Sequence, residues 1–359
     1  MATKNSYWSL QEASLILSCI VKPQTAEDVT KIISRITGRQ ECPFAIKSQG
    51  HAPAGGFGNI DHGITIDMTD LNTISINSHA SVTSVGTGAS WLDVYAFLDP
   101  YNKTVAGGRN GAVGVGGLTL GGGISYFSPQ AGFTCDTVVN FQVVLSTGQL
   151  VDANATSHPD LFRALKGGMN NFGVVTRIDF KTLPISEILG GHLINDIVDR
   201  GAVFSALAGI ADAEPYDIHA SIVTSLILSS TTKNWTLLSA PIYTKPDLNP
   251  RVYEDLFAVP SVSNTMQVTP LHVLANESAM AQTYRLFSTT TFGVSAQLLD
   301  HIFDVCNETL HKFSGPKNLQ WILSFEPLPT VLVSHGEGKN VLGTSIKQGN
   351  SMILLLSVF

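Results

Sequence analysis

The sequence predicts a two-domain α+β protein. Residues 1–185 would form a first domain of short strands and helices, and residues 186–359 a second domain built on an antiparallel sheet covered by helices. Three observations carry this expectation. The chain has 359 residues, a length at which two domains are the usual outcome. Charged residues are only 14% and glycines number 32, which suits neither a coiled coil nor a charged disordered chain and suits strands joined by tight turns. Short strand and helix patterns alternate through the first half, whereas the second half carries longer strands and one long amphipathic segment.

The elements follow in order. Ile20 to Pro23 reads as a short strand. Thr25 and Asp28 form a reciprocal capping pair for a helix whose apolar face is Val29, Ile32, Ile33 and Ile36, with Gly38 as its stop. Strands are expected at Phe44–Lys47, Gly63–Met68 and Ser81–Val85, and Ser90 caps a helix from Trp91 to Leu98 that Pro100 ends. Residues 105–123 contain nine glycines in 19 positions, with Val113, Val115, Leu118 and Leu120 spaced through them. A polar linker would lack those apolar residues, so the segment is expected to lie where another group approaches the backbone closely. A hairpin at Val138–Leu145 and Gln149–Asp152, a helix opened by Pro159 and closed by Gly167-Gly168, and a strand at Val174–Phe180 complete the first domain, with a hinge at Pro184.

In the second half, Ile218–Ile227, Trp235–Ile242 and Leu319–Phe325 read as strands. Ser295 caps a helix presenting Leu299, Ile302, Phe303, Cys306, Leu310 and Phe313 on one face. The chain ends on SMILLLSVF, a core-type strand with no polar tail. That ending predicts a chain cut inside a domain, an uncovered apolar edge and weak stability.

Composition excludes several function classes. Net charge is −7, from 21 basic and 28 acidic residues, and the basic residues are scattered, so no nucleic-acid partner is expected. The cysteines (Cys19, Cys42, Cys135, Cys306) are widely spaced and form no CxxC pair, so neither a metal site nor a disulfide framework is expected. No stretch is long and apolar enough to span a membrane, and the seven-residue apolar run Leu15–Val21 makes a poor leader, which favours a cytoplasmic location. Five N-x-S/T triplets, at Asn102, Asn154, Asn234, Asn276 and Asn307, are what a chain rich in Asn, Ser and Thr contains by chance.

Four ordered motifs carry a family resemblance. Ile46-Lys47-Ser48-Gln49-Gly50-His51 resembles the flavin-attachment turn of FAD-linked oxidases with the vanillyl-alcohol-oxidase (PCMH) type of flavin domain. The run from Gly114 to Gly123 is similar to their second glycine motif, Gly132–Thr137 to the next segment, and Asn170–Thr176 to the closing motif. The berberine-bridge-enzyme-like branch, and its fungal members in secondary metabolism, match best. The resemblance implies a two-domain PCMH-type FAD-binding fold, with Phe325–Phe359, including Gly338–Gly343, in the substrate domain and a return segment to the flavin domain missing.

By that resemblance, His51 bonds covalently to the flavin 8α-methyl carbon. Ser48, Gln49 and Gly50 present backbone amides to the pyrophosphate, and Lys47 keeps a positive charge where relatives carry arginine. Gln49 replaces a frequent glycine, and its Cβ either crowds the pyrophosphate or points away. Gly116, Gly117, Thr119, Gly121 and Gly122 would line the isoalloxazine and ribityl chain, with Gly173 and Val175 beside the ring; Asp136 is either a flavin-domain hydrogen-bonding residue or a turn acid. The G-x-G-x-x-G within the glycine run is not a dinucleotide fingerprint, because no helix is expected to open on it and no ribose-binding acid follows. The position of a second tether, a cysteine in some members, is Asn110, so a single covalent bond is expected.

The implied reaction is hydride transfer from a small secondary metabolite (an alcohol, phenol, amine or sugar) to flavin N5, with molecular oxygen as acceptor. No catalytic base is assigned; His192, Tyr216, His219 and Glu326 are candidates only by their capacity to face a pocket. The competing expectations are a catalytically inactive relative and a non-flavin binding or structural protein with glycine turns.

Overall fold

A computed structural model describes residues 6–37, 42–185, 187–276, 282–316 and 318–359. The chain folds into two compact units. The first comprises Met1–Ser186, Pro270–Arg285 and His335–Gly343; the second comprises Glu187–Thr269, Leu286–Ser334 and Thr344–Phe359.

The first unit opens with a short helix, α1 (Leu10–Ala13), and strand β1 (Cys19–Val21). Helix α2 (Ala26–Ile36) has both halves of the expected capping box: Asp28 N–H donates to Thr25 Oγ1 at 3.1 Å and Thr25 N–H to Asp28 Oδ2 at 3.2 Å. It ends at Ile36 with Thr37 as cap; the expected stop, Gly38, lies outside the described residues. Strands β2 (Phe44–Lys47) and β3 (Ile64–Asp67) join β1 in a parallel sheet of order β1-β3-β2.

A second sheet is antiparallel, order β4-β5-β9-β7-β8, from β4 (Ile74–Ile76), β5 (Val82–Gly86), β7 (Val138–Val144), β8 (Leu150–Asn154) and β9 (Val174–Lys181). Between its strands run α3 (Trp91–Leu98), capped by Ser90 as expected, the two-residue β6 (Lys103–Thr104), α4 (Val115–Leu120), α5 (Ser128–Ala131) and α6 (Pro159–Leu165). Strand β10 (Leu183–Pro184) pairs with β6. Val29, Ile33 and Ile36 of α2 pack with Ile66, Met68, Val144 and Val174, which ties both sheets to one core.

Two expectations about this unit are corrected. Helix α4 opens on the glycine run after all, with Gly114 as its N-cap. Glycine costs a helix about 1 kcal/mol relative to alanine, but tertiary packing overrides that preference: Gly116 faces Thr87, and Val115, Thr119 and Leu120 are buried. The Gly338–Gly343 stretch, expected in the second domain, belongs to the first unit. There Asn340 Nδ2 donates to Asp136 Oδ1 at 2.8 Å, Val341 N–H donates to the Lys166 carbonyl at 3.0 Å, and Leu342 packs against Gly122 and Gly167.

The second unit is a nine-stranded sheet. Its strands are β11 (Ile188–Gly190), β12 (Leu193–Asn195), β13 (Ala220–Ser229), β14 (Trp235–Tyr243), β15 (Ser261–Asn264), β16 (Gln267–Thr269), β17 (Leu286–Gly293), β18 (Gln320–Leu328) and β19 (Ser351–Val358), all paired antiparallel. Helices Arg200–Ala211 and Ala296–Lys312 cover it, with Phe204, Leu207, Leu299 and Phe303 packed on Leu226, Leu237, Leu323 and Phe325. The first of these helices had no counterpart among the expected elements. The terminal strand is not an uncovered edge: β19 lies between β18 and β17, paired on both sides over its whole length. Its partner β17, LFSTTTFG, has an exposed face and little hydrophobic alternation, which is why no strand was expected there.

Close backbone approach holds the first unit together at Gly88. An added Cβ there would meet the carbonyl of Met68, which is backbone and cannot swing aside. Gly88→Ala is therefore expected to destabilise the protein by about 1–3 kcal/mol, read as a lower midpoint in urea unfolding. An unchanged midpoint would refute the close approach.

Candidate functional site

A cavity of about 470 Å³ is lined wholly by residues of the first unit. Three segments meet at it: the turn after β2, the segment around Thr87 after β5, and α4 with the loop that precedes β9. Its wall is mostly apolar, with Ile46, Met68, Val113, Leu118, Leu120, Met169 and Val175, and a few polar side chains stand among them. That composition suits a small organic group or the ring of a cofactor.

The turn is held from both sides. Gly50 has φ +71°, and a Cβ there would come within 2.9 Å of the Ser6 carbonyl. Its own carbonyl accepts from Trp8 N–H at 2.9 Å. Ser48 Oγ donates to the Thr87 carbonyl and Gln49 Nε2 to the Gly88 carbonyl, each at 2.6 Å. The Gln49 side chain is thus occupied with the neighbouring backbone. Glu12, fully buried, accepts from the amides of Phe57 at 2.9 Å and Gly58 at 2.7 Å; burial raises its pKa and those bonds pull it back down.

Lys47 Nζ lies 3.5 Å from Asp67 Oδ2, both side chains being nearly inaccessible. Burial lowers the lysine's pKa, and the Asp67 carboxylate opposes that shift. Its charge is therefore balanced internally.

His51 stacks on Trp8, with ring centroids 4.2 Å apart and planes 16° from parallel. The Arg285 guanidinium lies 3.7 Å from the Trp8 ring centre. Burial, and then the positive charge of Arg285, push the His51 pKa down to about 4. At neutral pH the imidazole is uncharged and keeps a nucleophilic nitrogen.

The second glycine motif is joined at the end of α4 to the stretch just before the closing motif, where the Leu120 carbonyl accepts from Gly167 N–H at 3.0 Å and Met169 N–H at 3.1 Å. Thr87 Oγ1 donates to the Val175 carbonyl at 2.8 Å. A Cβ on Gly117 would meet no protein atom within 4 Å, so the bare backbone there leaves room beside the cavity.

Comparisons with known proteins agree with this geometry. A family model described as an FAD binding domain matches residues 17–154. An FAD-dependent monooxygenase of Aspergillus calidoustus is 33% identical over 366 residues, covering 99% of this chain and 70% of that protein. The chain belongs to the FAD-linked oxidoreductases. An FAD-dependent monooxygenase of Fusarium proliferatum is 34% identical, covering 97% of this chain and 68% of its own length. Among solved structures, 6-hydroxy-D-nicotine oxidase of Arthrobacter nicotinovorans superposes with a TM-score of 0.78 at 19% identity, covering 100% of this chain and 78% of that one. Glucooligosaccharide oxidase of Acremonium strictum does so with a TM-score of 0.76 at 16% identity, covering 98% and 76%. These likenesses show the two-domain PCMH-type FAD-binding fold.

This FAD-linked oxidoreductase is an enzyme whose cofactor is FAD and which acts on a small organic substrate with oxygen involved. Of the residues expected to hold FAD, the structure gathers Lys47, Ser48, Gln49, Gly50, His51, Gly116, Gly117, Gly173 and Val175 around one cavity. Thr119, Gly121, Gly122 and Asp136 are not among its lining residues. Thr119 Oγ1 donates within α4 to the Val115 carbonyl at 2.7 Å, Gly121 and Gly122 lie against Met169 and Leu342, and Asp136 binds Asn340 and the Phe133 amide. Asp136 thereby caps its own turn and ties that turn to Asn340.

Lining residues that the motifs did not single out include Pro53, Phe57, Met68, Thr87, Val113 and Met169. Trp8, Glu12 and Arg285 support the turn from distant positions. All four candidate bases (His192, Tyr216, His219 and Glu326) lie in the second unit; His219 Nδ1 sits 2.9 Å from Thr244 Oγ1, and Tyr216 Oη donates to the Ala220 carbonyl at 3.3 Å. Among the described residues no group of three or more His, Cys, Asp or Glu is placed to hold a metal, and no helix is long and apolar enough to cross a membrane.

Two outcomes follow for the apoprotein. Gly117→Ala adds a better helix former in open space, so its melting temperature should stay level or rise while FAD binding weakens; calorimetric titration with FAD at wild-type affinity would count against the cavity as the flavin seat. His51 has a folded pKa near 4 against about 6.5 when unfolded, so the unfolded chain takes up the proton first as pH falls. The stability carried by the neutral ring is complete above about pH 6.5 and is lost as pH falls toward 4. Melting curves across that window should fall more steeply for wild type than for His51→Gln.

Proposed function

We propose that this protein is an FAD-dependent oxidase of a small secondary metabolite that holds its flavin in the first unit through one covalent bond from His51. The observation that carries this reading is the place of His51, at the edge of a cavity lined by glycine motifs and on a turn bonded to neighbouring backbone from both sides. Bound FAD would supply the two-electron acceptor, taking hydride at N5 and passing the electrons to oxygen. The backbone of Ser48, Gln49 and Gly50 would receive the pyrophosphate, where successive amides suit an anion. Gly116, Gly117, Gly173 and Val175 would flank the ring with little bulk. Neutral His51 would contribute the lone pair for the bond to the 8α carbon.

A single tether fits the residue at the second position. The Acremonium strictum enzyme is described with both a 6-S-cysteinyl and an 8α-N1-histidyl FAD. Here the corresponding residue is Asn110, whose side-chain oxygen accepts from the Ala112 amide at 2.8 Å. Asparagine offers no thiolate, so a thioether cannot form.

Wild-type protein is expected to keep its flavin through acid precipitation and to show one flavin adduct by intact mass. His51→Ala should lose the adduct while retaining part of the reversibly bound FAD; an adduct persisting in that variant would refute the assignment. Monooxygenation is the second reading, favoured by the names of the relatives from Aspergillus calidoustus and Fusarium proliferatum. Turnover under ¹⁸O₂ separates the two. An oxidase releases labelled peroxide in step with substrate loss, and a monooxygenase places label in the product.

A further inference from the structure

The stacked arrangement beside His51 uses residues from opposite ends of the chain, and nothing in the glycine motifs requires it. Residues Tyr7–Gln11 and Gln282–Arg285, both in the first unit, run side by side. Leu10 N–H donates to the Thr283 carbonyl at 2.9 Å, and Gln282 Nε2 donates to the Tyr7 carbonyl at 2.6 Å. The Gln11 amide grips the backbone of Arg285 from both directions: Nε2 donates to its carbonyl at 2.6 Å and Oε1 accepts from its N–H at 3.1 Å. Arg285 is 2% exposed, and its Nε donates to the Trp8 carbonyl at 3.3 Å while the guanidinium lies on the indole. Trp8 is thus fixed at its backbone, by the bond from its N–H to the Gly50 carbonyl, and at its ring, by Arg285. The same ring stacks on His51.

We propose that Trp8, buttressed by Arg285, is a positioning residue for covalent flavin attachment, holding the His51 ring in the plane from which its nitrogen reaches the flavin 8α carbon. This inference rests on the proposed His51 bond and adds to it. Formation of that bond is demanding in geometry. The nitrogen lone pair makes the new C–N bond, one proton leaves the methyl carbon and one leaves the imidazole. The two electrons reduce the flavin, and oxygen then takes both electrons and both protons as hydrogen peroxide. A ring free to rotate would seldom point its lone pair at the carbon, and a misplacement of about 1 Å at a reacting centre can cost about a hundredfold in rate. A flat indole stacked on the ring removes that freedom from the face, without placing a hydrogen-bond donor in the imidazole plane where the nitrogen lone pair lies. The Arg285 cation acts in the same direction, since it disfavours a protonated His51 and so preserves the lone pair.

The test compares Trp8→Leu, Trp8→Met and Trp8→Phe with wild type, each produced as the full chain in flavin-depleted cells and then mixed with FAD. Two quantities are followed: total bound FAD, and the fraction that resists acid precipitation. Leucine and methionine keep apolar bulk without a flat face, and phenylalanine keeps the face. The expected result is covalent incorporation slowed about tenfold or more in Trp8→Leu and Trp8→Met, with total FAD binding retained and with near-wild-type incorporation in Trp8→Phe. Wild-type incorporation in the leucine or methionine variant overturns the proposal. So does equal slowing in all three, which would make the role one of bulk. If wild type itself takes up FAD without any acid-stable fraction, the His51 bond fails and this inference fails with it. If wild type bonds its flavin and the variants do so equally fast, only the positioning role is lost.

Discussion

The cavity depends on how closely other segments can approach the backbone from Thr87 to Ser90. Ser48 and Gln49 bond to its carbonyls, Val115 N–H donates to the Ala89 carbonyl at 3.0 Å, and Ser90 bridges to Gly114. Thr87 also reaches the Val175 carbonyl. The attachment turn, the glycine helix and the closing strand therefore take their relative positions from a four-residue stretch. A side chain on Gly88 would meet the Met68 carbonyl, which no rotamer relieves, and one on Gly116 would sit 3.1 Å from the Thr87 carbonyl. The glycines of this region serve close approach at some positions and open space at others, and Gly117 is of the second kind.

Much of the first unit was legible because its signals are local. Capping pairs at Thr25/Asp28 and Ser90/Asp93 lie three residues apart, and strands such as Val138–Val144 declare themselves by β-branched residues between turns. Three of the four motifs likewise supplied nine of the expected residues around the cavity. What was illegible is what arises from distant contacts. Helix α4 contradicts the local preference of two internal glycines, and packing on Thr87 decides the outcome. Thr119, Gly121, Gly122 and Asp136 sit within matching motifs yet bond to the protein itself, because a motif conserves the frame around a site along with its surface. Trp8 and Arg285 lie 277 positions apart, and no periodicity links them.

The same limit governs the second unit. Strand β19 was expected to leave an uncovered edge because no turn, cap or polar tail follows it, but its neighbours in space are β18 and β17. The excursions of Pro270–Arg285 and His335–Gly343 into the first unit are equally non-local. They bring there two groups that its own leading sequence lacks: the Arg285 cation beside His51, and the Asn340 amide that satisfies Asp136.

His51 must meet two requirements that ordinarily conflict. A histidine is most easily oriented by a carboxylate that accepts its N–H, but that partner stabilises the imidazolium and raises the pKa. In this chain, orientation and charge state are separated. Burial is the larger influence on the ring and Arg285 the smaller, and both favour the neutral form. Orientation comes from stacking on Trp8, which needs no acceptor for the imidazole N–H. An aromatic face backed by a buried cation therefore does what a carboxylate could not: it holds the ring still and leaves the nitrogen lone pair available at neutral pH.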